Sequence, residues 1–218
     1  MSYPPAAFRL TDEVQLREHL ADATLGLVAT NGSSESGDGA PVASHVPFLF
    51  DTTVGPKGVL LGHVARNNPH AKADGAAVLV VFQGPDAYIS PSYYATKARD
   101  PRHVPTWDYQ AIHVRGRLRA IDDAEWLRGV VTRLTQRYEA RAGTDWQVSD
   151  APADYIDRLL RGIVGLQVDI ESIEGRLKLS QNRAAEDQAS VAVKLRASAK
   201  EGDRALGALL PVKAEDGI

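Results

Sequence analysis

Three segments of the 218-residue chain set cations and side-chain amides beside apolar runs: "GHVARNNPH", "VPTWDYQAIHVRG" and "GRLKLSQNR". In the first, His63, Arg66, Asn67 and Asn68 fall where a strand-like run gives way to a turn, a place where backbone N–H groups become available to an anion. In the third, Lys178, Ser180, Gln181, Asn182 and Arg183 repeat the arrangement. A guanidinium or ammonium neutralises a phosphate while amides read the edges of a polar ring, so this set suits a phosphate that carries a heterocycle. Each segment alone reads first as an ordinary solvated turn, because Asn and Gly are common turn residues. Their joint presence favours a ligand.

The middle segment alternates as a strand. Counting every second residue puts Trp107, Tyr109, Ala111, His113 and Arg115 on one face and Asp108, Gln110, Ile112 and Val114 on the other. The second face turns aliphatic and suits a core. The first is aromatic and cationic: Trp107 and Tyr109 offer a wall to a flat ring, although aromatics at this spacing also serve as plain core. Tyr109 and His113 share that face as titratable groups, and neither is assigned as a catalytic acid or base.

Other chemistries find less support. The chain has no cysteine, which removes disulfides, thiolate metal sites and a Cys nucleophile. Its six histidines, His19, His45, His63, His70, His103 and His113, form no HExxH pair and have no carboxylate at ligand spacing, so no metal site is assigned. His45 and His63 lie inside apolar strands, where an unpaired imidazole is costly; each is either bonded to a core neighbour or turned to a ligand. No G-x-S-x-G turn presents a serine nucleophile. The loop from Asn31 to Gly39 lacks the Gly-Lys-Ser/Thr ending of a phosphate loop and carries Glu35 and Asp38, which would repel an anion. It reads as a mobile connection.

The elements that must position these residues are mostly strands. "TLGLVAT" and "APVASHVPFLFD" form a hairpin across that connection, and "KGVLLGHVA", "GAAVLVVFQGPDAYIS" and "IHVRGRLRAI" follow, with "IVGLQVDIESIEG" later. A cluster of five or six strands at short spacing argues for a sheet closed into a small barrel rather than a βαβ array. Helices are expected over about 11–21 with Thr11 as N-cap, 122–141 with Asp122 and Glu125 as a capping box, 152–161 with Pro152 in the first turn, and 184–210. Leu127, Val130, Val131, Leu134 and Tyr138 give the second of these one apolar stripe. No repeat and no linker divides the chain, so a single domain over 1–218 is expected.

In these stretches, together with "PVASHVPFLF" and "VFQGPDAYISPSYY", the sequence resembles the PaiB-like proteins. These are FMN-binding negative transcriptional regulators related to the pyridoxamine-phosphate-oxidase-like split barrels. The matching motifs run in the expected order up to about residue 190. The resemblance implies a mainly β fold, a six-stranded Greek-key split barrel with peripheral helices, and a homodimer binding FMN in the groove between subunits. Each such site draws on both chains. It also implies Arg66 as the phosphate ligand with His63, Asn67 and Asn68 in support, and Lys178, Gln181 and Asn182 at the phosphate or flavin edge. Trp107, Tyr109 and His113 would line the groove. Two departures stand out: Tyr93 or Tyr94 where the family often has Trp, and Asp108 where it often has Asn. Neither removes a cation.

The implied function is that of an FMN-binding regulator; the alternative is a flavin-dependent oxidoreductase acting on a small molecule, and a third reading is a dimeric interaction module without cofactor. A chain of this length buries roughly 70% of its unfolded surface, so it needs no staples. The net charge of −3 gives no overall attraction to DNA, and no helix-turn-helix is apparent. No apolar run approaches the roughly 18 to 20 residues of a membrane span and the N-terminus has no export signal, so a cytoplasmic protein is expected.

Overall fold

The computed structural model of the chain describes residues 5–23, 25–31 and 40–210. Except for Asn31, the connection read as a mobile loop lies outside the described residues. Among the described residues eight strands are formed: β1 (Arg9–Leu10), β2 (Leu25–Thr30), β3 (Val42–Pro47), β4 (Leu49–Asp51), β5 (Val59–Ala65), β6 (Ala77–Ile89), β7 (Thr106–Ile121) and β8 (Ile163–Lys178). The helices are α1 (Glu13–Asp22), α2 (Ala124–Ala142), α3 (Ala153–Leu160), α4 (Ala185–Arg196) and α5 (Glu201–Leu209). None of the described helices is long and apolar enough to cross a membrane.

The fold is mainly β with peripheral helices, but the sheet has eight strands where six were expected. β1 and β4 hold two and three residues, too few to show a period of two in sequence. The strand order is open, β3-β2-β6-β7-β8-β5-β4, with β1 pairing β8 off that path. The β2–β3 hairpin read from sequence is present and antiparallel.

The chain divides into two compact units. A central unit takes Arg17–Phe82 and His113–Ile173; a terminal unit takes Met1–Leu16, Gln83–Ile112 and Glu174–Ile218. β6, β7 and β8 each contribute residues to both, so no linker marks the division in sequence.

In the central unit, β3 and β4 are separated only by Phe48, which is almost fully buried. A β-carbon at Gly26 would lie 2.8 Å from Val80, and one at Gly62 2.8 Å from the Pro47 carbonyl. Glycine at both positions lets β2 and β5 close around the Phe48 ring. α2 lays Val130 and Leu134 on Leu49, Val59 and Leu61. Its first turn sets Trp126 over Gly165 of β8, where a β-carbon would come within 2.2 Å of the indole. The cap is Asp123, whose side chain accepts the Trp126 N–H at 2.7 Å, not Asp122 as read from sequence. Pro152 precedes α3 as its cap residue rather than entering the first turn.

The terminal unit has its own core, in which Val191, Leu195 and Leu206 of α4 and α5 meet Ile89, Tyr94 and Leu179. Asp12 rather than Thr11 caps α1, accepting the Gln15 N–H at 2.9 Å. The single helix expected over 184–210 is broken between Arg196 and Glu201. Ser198 causes the break: its hydroxyl donates to Asp203 at 2.6 Å and accepts the Lys200 N–H at 3.2 Å, local bonds that compete with the helical ladder.

Candidate functional site

The turn after β5 is built by residues that bond its backbone. Asn68 caps the short helical turn Pro69–Lys72 by accepting the His70 N–H at 2.9 Å, and its amide donates to Ser44 Oγ at 3.0 Å. His70 is fully buried, with Nδ1 2.9 Å from Ser44 Oγ and Nε2 3.4 Å from Thr30 Oγ1. Burial holds its pKa below the usual imidazole value, so it remains neutral. The turn is thereby stitched to the β2–β3 hairpin. The core histidine of this unit is His70, whereas the sequence singles out His45, which is exposed, and His63, which is half-buried. His63 Nδ1 is sealed from solvent and has no partner among the described residues; burial lowers its pKa as well.

Arg66 leaves the same turn and reaches Asp122 with two bonds of 2.7 Å. Its Nε donates to the Arg161 carbonyl at 2.7 Å and Nη2 to that of Ile163 at 3.1 Å. Direct hydrogen bonding raises the arginine's pKa and lowers that of Asp122. The pair stands in solvent, with side chains 45% and 65% exposed. Exposed ion pairs contribute little, so the Arg66–Asp122 contact adds little to stability. The neighbouring Asn67 is exposed and its amide makes no hydrogen bond among the described residues. His113 lies half-buried on β7 of this unit.

The other sequence-derived residues belong to the terminal unit. The alternation of β7 holds: Trp107 is 56% exposed and Asp108 fully buried. The aromatic partner of Trp107 is Tyr88, edge-to-face at 5.9 Å, while Tyr109 is half-buried. Lys178 Nζ donates to Thr106 Oγ1 at 2.6 Å and to the Trp107 carbonyl, and lies 3.4 Å from Asp108 Oδ1. Ser180 donates to the other Asp108 oxygen at 2.5 Å. It holds φ at 57°, the one non-glycine residue with positive φ among those described. That conformation costs about 1–2 kcal/mol for an L-residue, offset here by the hydrogen bond from its hydroxyl to Asp108. Gln181 folds back, accepting the Leu179 N–H at 2.6 Å and donating to the Leu177 carbonyl. Asn182 is exposed and unbonded among the described residues.

Asp108 lies on the strand face that turns aliphatic in sequence, and its charge is buried there. Burial raises its pKa; Ser180 and Lys178 pull it back down. Taking Lys178 away would strand a buried carboxylate, at about 3 kcal/mol or more. Lys178 thus faces a buried carboxylate where Arg66 faces an exposed one.

The donor set fits a phosphomonoester on the central unit, where Arg66 supplies charge and Asn67 an exposed amide. On the terminal unit Trp107 carries an exposed indole and Asn182 an exposed, unbonded amide, groups of the kinds that suit the face and edge of a planar heterocycle. Among the described residues no three His, Asp or Glu converge as metal ligands.

Residues 2–172 match the family described as "Putative FMN-binding domain". The Bacillus subtilis (strain 168) protein named "Protease synthase and sporulation protein PAI 2" is 32% identical over 191 residues, which cover 87% of this chain and 86% of that one. An uncharacterized protein of Emericella nidulans is 33% identical over 182 residues, covering 68% of this chain and 72% of its own. Among solved structures, the FAD and heme binding protein from Mycobacterium smegmatis aligns with a TM-score of 0.55 at 22% identity, over 84% of this chain and 79% of that one. That likeness is one of fold. The chain belongs to the PaiB-type family of FMN-binding domains.

Proposed function

We propose that this protein is a homodimer that binds FMN and acts as a PaiB-type negative regulator of transcription. The observation that carries the FMN reading is the Arg66–Asn67 turn: a solvent-exposed guanidinium, fixed at Nε and exchangeable at its Asp122 side, next to an unengaged amide. Bound FMN supplies one- and two-electron redox chemistry. On the central unit the chain's own task is to neutralise the phosphate with Arg66 and hold the turn through Asn68 and His70; on the terminal unit Trp107 and Asn182 are the candidates for the ring. His63 and Asn68 act by shaping the turn, and Tyr109, His113, Lys178 and Gln181 by supporting the groove. The regulatory part is taken from the family resemblance, and the similar Bacillus subtilis protein is named for protease synthesis and sporulation.

Titration of FMN and riboflavin into purified protein tests the phosphate assignment. Arg66→Ala weakens FMN by roughly tenfold or more and riboflavin far less, since only FMN offers the charged group. Equal losses for both ligands contradict it.

The second reading is a flavin-dependent oxidoreductase, favoured by the open aromatic surface of Trp107 and Tyr88. Reduction of bound FMN by NADH or NADPH supports it. Salt-dependent binding to the protein's own promoter region supports the regulator instead.

A further inference from the structure

We propose that Lys178 and Asp108 are positioning residues and not flavin ligands: with Ser180 they form an internal strut that sets the Trp107 indole and the loop Gln181–Arg183. For its ligand this rests on the FMN reading above. A lysine beside a strand end invites assignment to a phosphate, but each acceptor of this ammonium is internal. It grips Thr106 Oγ1 at 2.6 Å and the carbonyl of Trp107, and faces Asp108 Oδ1 at 3.4 Å. An ammonium has three N–H donors, so these three acceptors account for all of them. Phe8 covers the same group, its ring centroid 5.9 Å from Nζ. The second Asp108 oxygen holds Ser180 at 2.5 Å and so fixes the left-handed residue from which the loop departs. One buried carboxylate therefore governs two exposed elements. It does so through Lys178 to the residue that carries the indole, and through Ser180 to the loop that carries Asn182.

That position 108 is an acid and not its amide has a consequence. A carboxylate engages Lys178 as an ion pair and accepts from Ser180 at once, so Lys178 has no charge left over for a ligand. Asn in its place would accept one bond and leave the ammonium unneutralised.

The test has an arm without flavin and an arm with it. In the ligand-free protein, thermal midpoints of Asp108→Asn, Lys178→Met and the double variant form a cycle. The strut predicts a double variant no less stable than the worse single one, and additive losses overturn it. With flavin, Lys178→Met weakens FMN and riboflavin by the same factor, roughly tenfold, because the indole and loop serve the ring. A selective loss of FMN makes Lys178 a phosphate ligand and overturns the proposal, as does no loss for either ligand. At saturating FMN, Lys178→Met and Asp108→Asn change the visible circular dichroism of the bound flavin, while Gly165→Ala, destabilised in the other unit, does not. An unchanged spectrum in the first two also overturns it. Wild-type protein that binds neither FMN nor riboflavin defeats the FMN reading, and the ligand-free cycle still decides whether the strut exists.

Discussion

Arg66 shares Asp122 with solvent, whereas the carboxylate opposite Lys178 is sealed, and for that reason the two cations are expected to answer an anion differently. Both cations were legible in sequence; their partners were not. Asp122 lies 56 residues from Arg66 and was read as a helix cap, a role that Asp123 fills, which leaves Asp122 for the guanidinium. Asp108 left a usable signal, an acid on an aliphatic strand face, because such a group needs a cation and a hydroxyl near it. The φ of Ser180 left none. The buried His70 gives a pH prediction. Its folded pKa lies below the 6.5 of a free imidazole, as does that of His63, so the unfolded chain binds more protons between the two values. Their contribution to stability is complete above about pH 6.5 and is lost as pH falls through the folded values. Asp108, with its raised pKa, acts in the opposite sense. The thermal midpoint accordingly drops from about pH 7.5 to about pH 5.5, and His70→Gln flattens that slope. A slope unchanged in the variant contradicts the assignment.

At the scale of elements, the long strands and α2 were readable because their apolar periods run for many residues: the Leu127, Val130, Leu134 stripe is buried as expected. β1 and β4 were too short to show one, and the break between α4 and α5 depends on a single serine in an Ala-rich run. Close approach of α2 to β8 was also hidden, since nothing in the sequence links Gly165 to Trp126. Gly165→Ala puts a methyl 2.2 Å from the indole and so forces the first turn of α2 outward. A loss of about 1–3 kcal/mol in urea unfolding is expected from such overpacking. Asp123→Ala removes the cap of the same turn and lowers stability by about 1 kcal/mol. The two changes act on one turn, so their effects should not add.

At the scale of the molecule, one cation-bearing turn follows β5 and another follows β8, and residues 2–172 match a family described as an FMN-binding domain. The mild acidity of the chain argues that any regulatory contact with DNA depends on a local surface and is steeply salt-dependent. A dimer shows in light scattering as twice the 23.5 kDa of one chain. Ligand binding to the folded state alone raises stability by RT ln(1 + [L]/Kd), about 2.7 kcal/mol at a hundredfold excess over Kd, which corresponds to a rise of several degrees in thermal midpoint. The most direct test of the account is a titration of FMN against the purified protein, followed by quenching of flavin fluorescence and by the thermal midpoint. Saturable quenching with a concentration-dependent rise in midpoint, both weakened in Arg66→Ala, is the predicted result. Micromolar FMN that is neither quenched nor stabilising would contradict it.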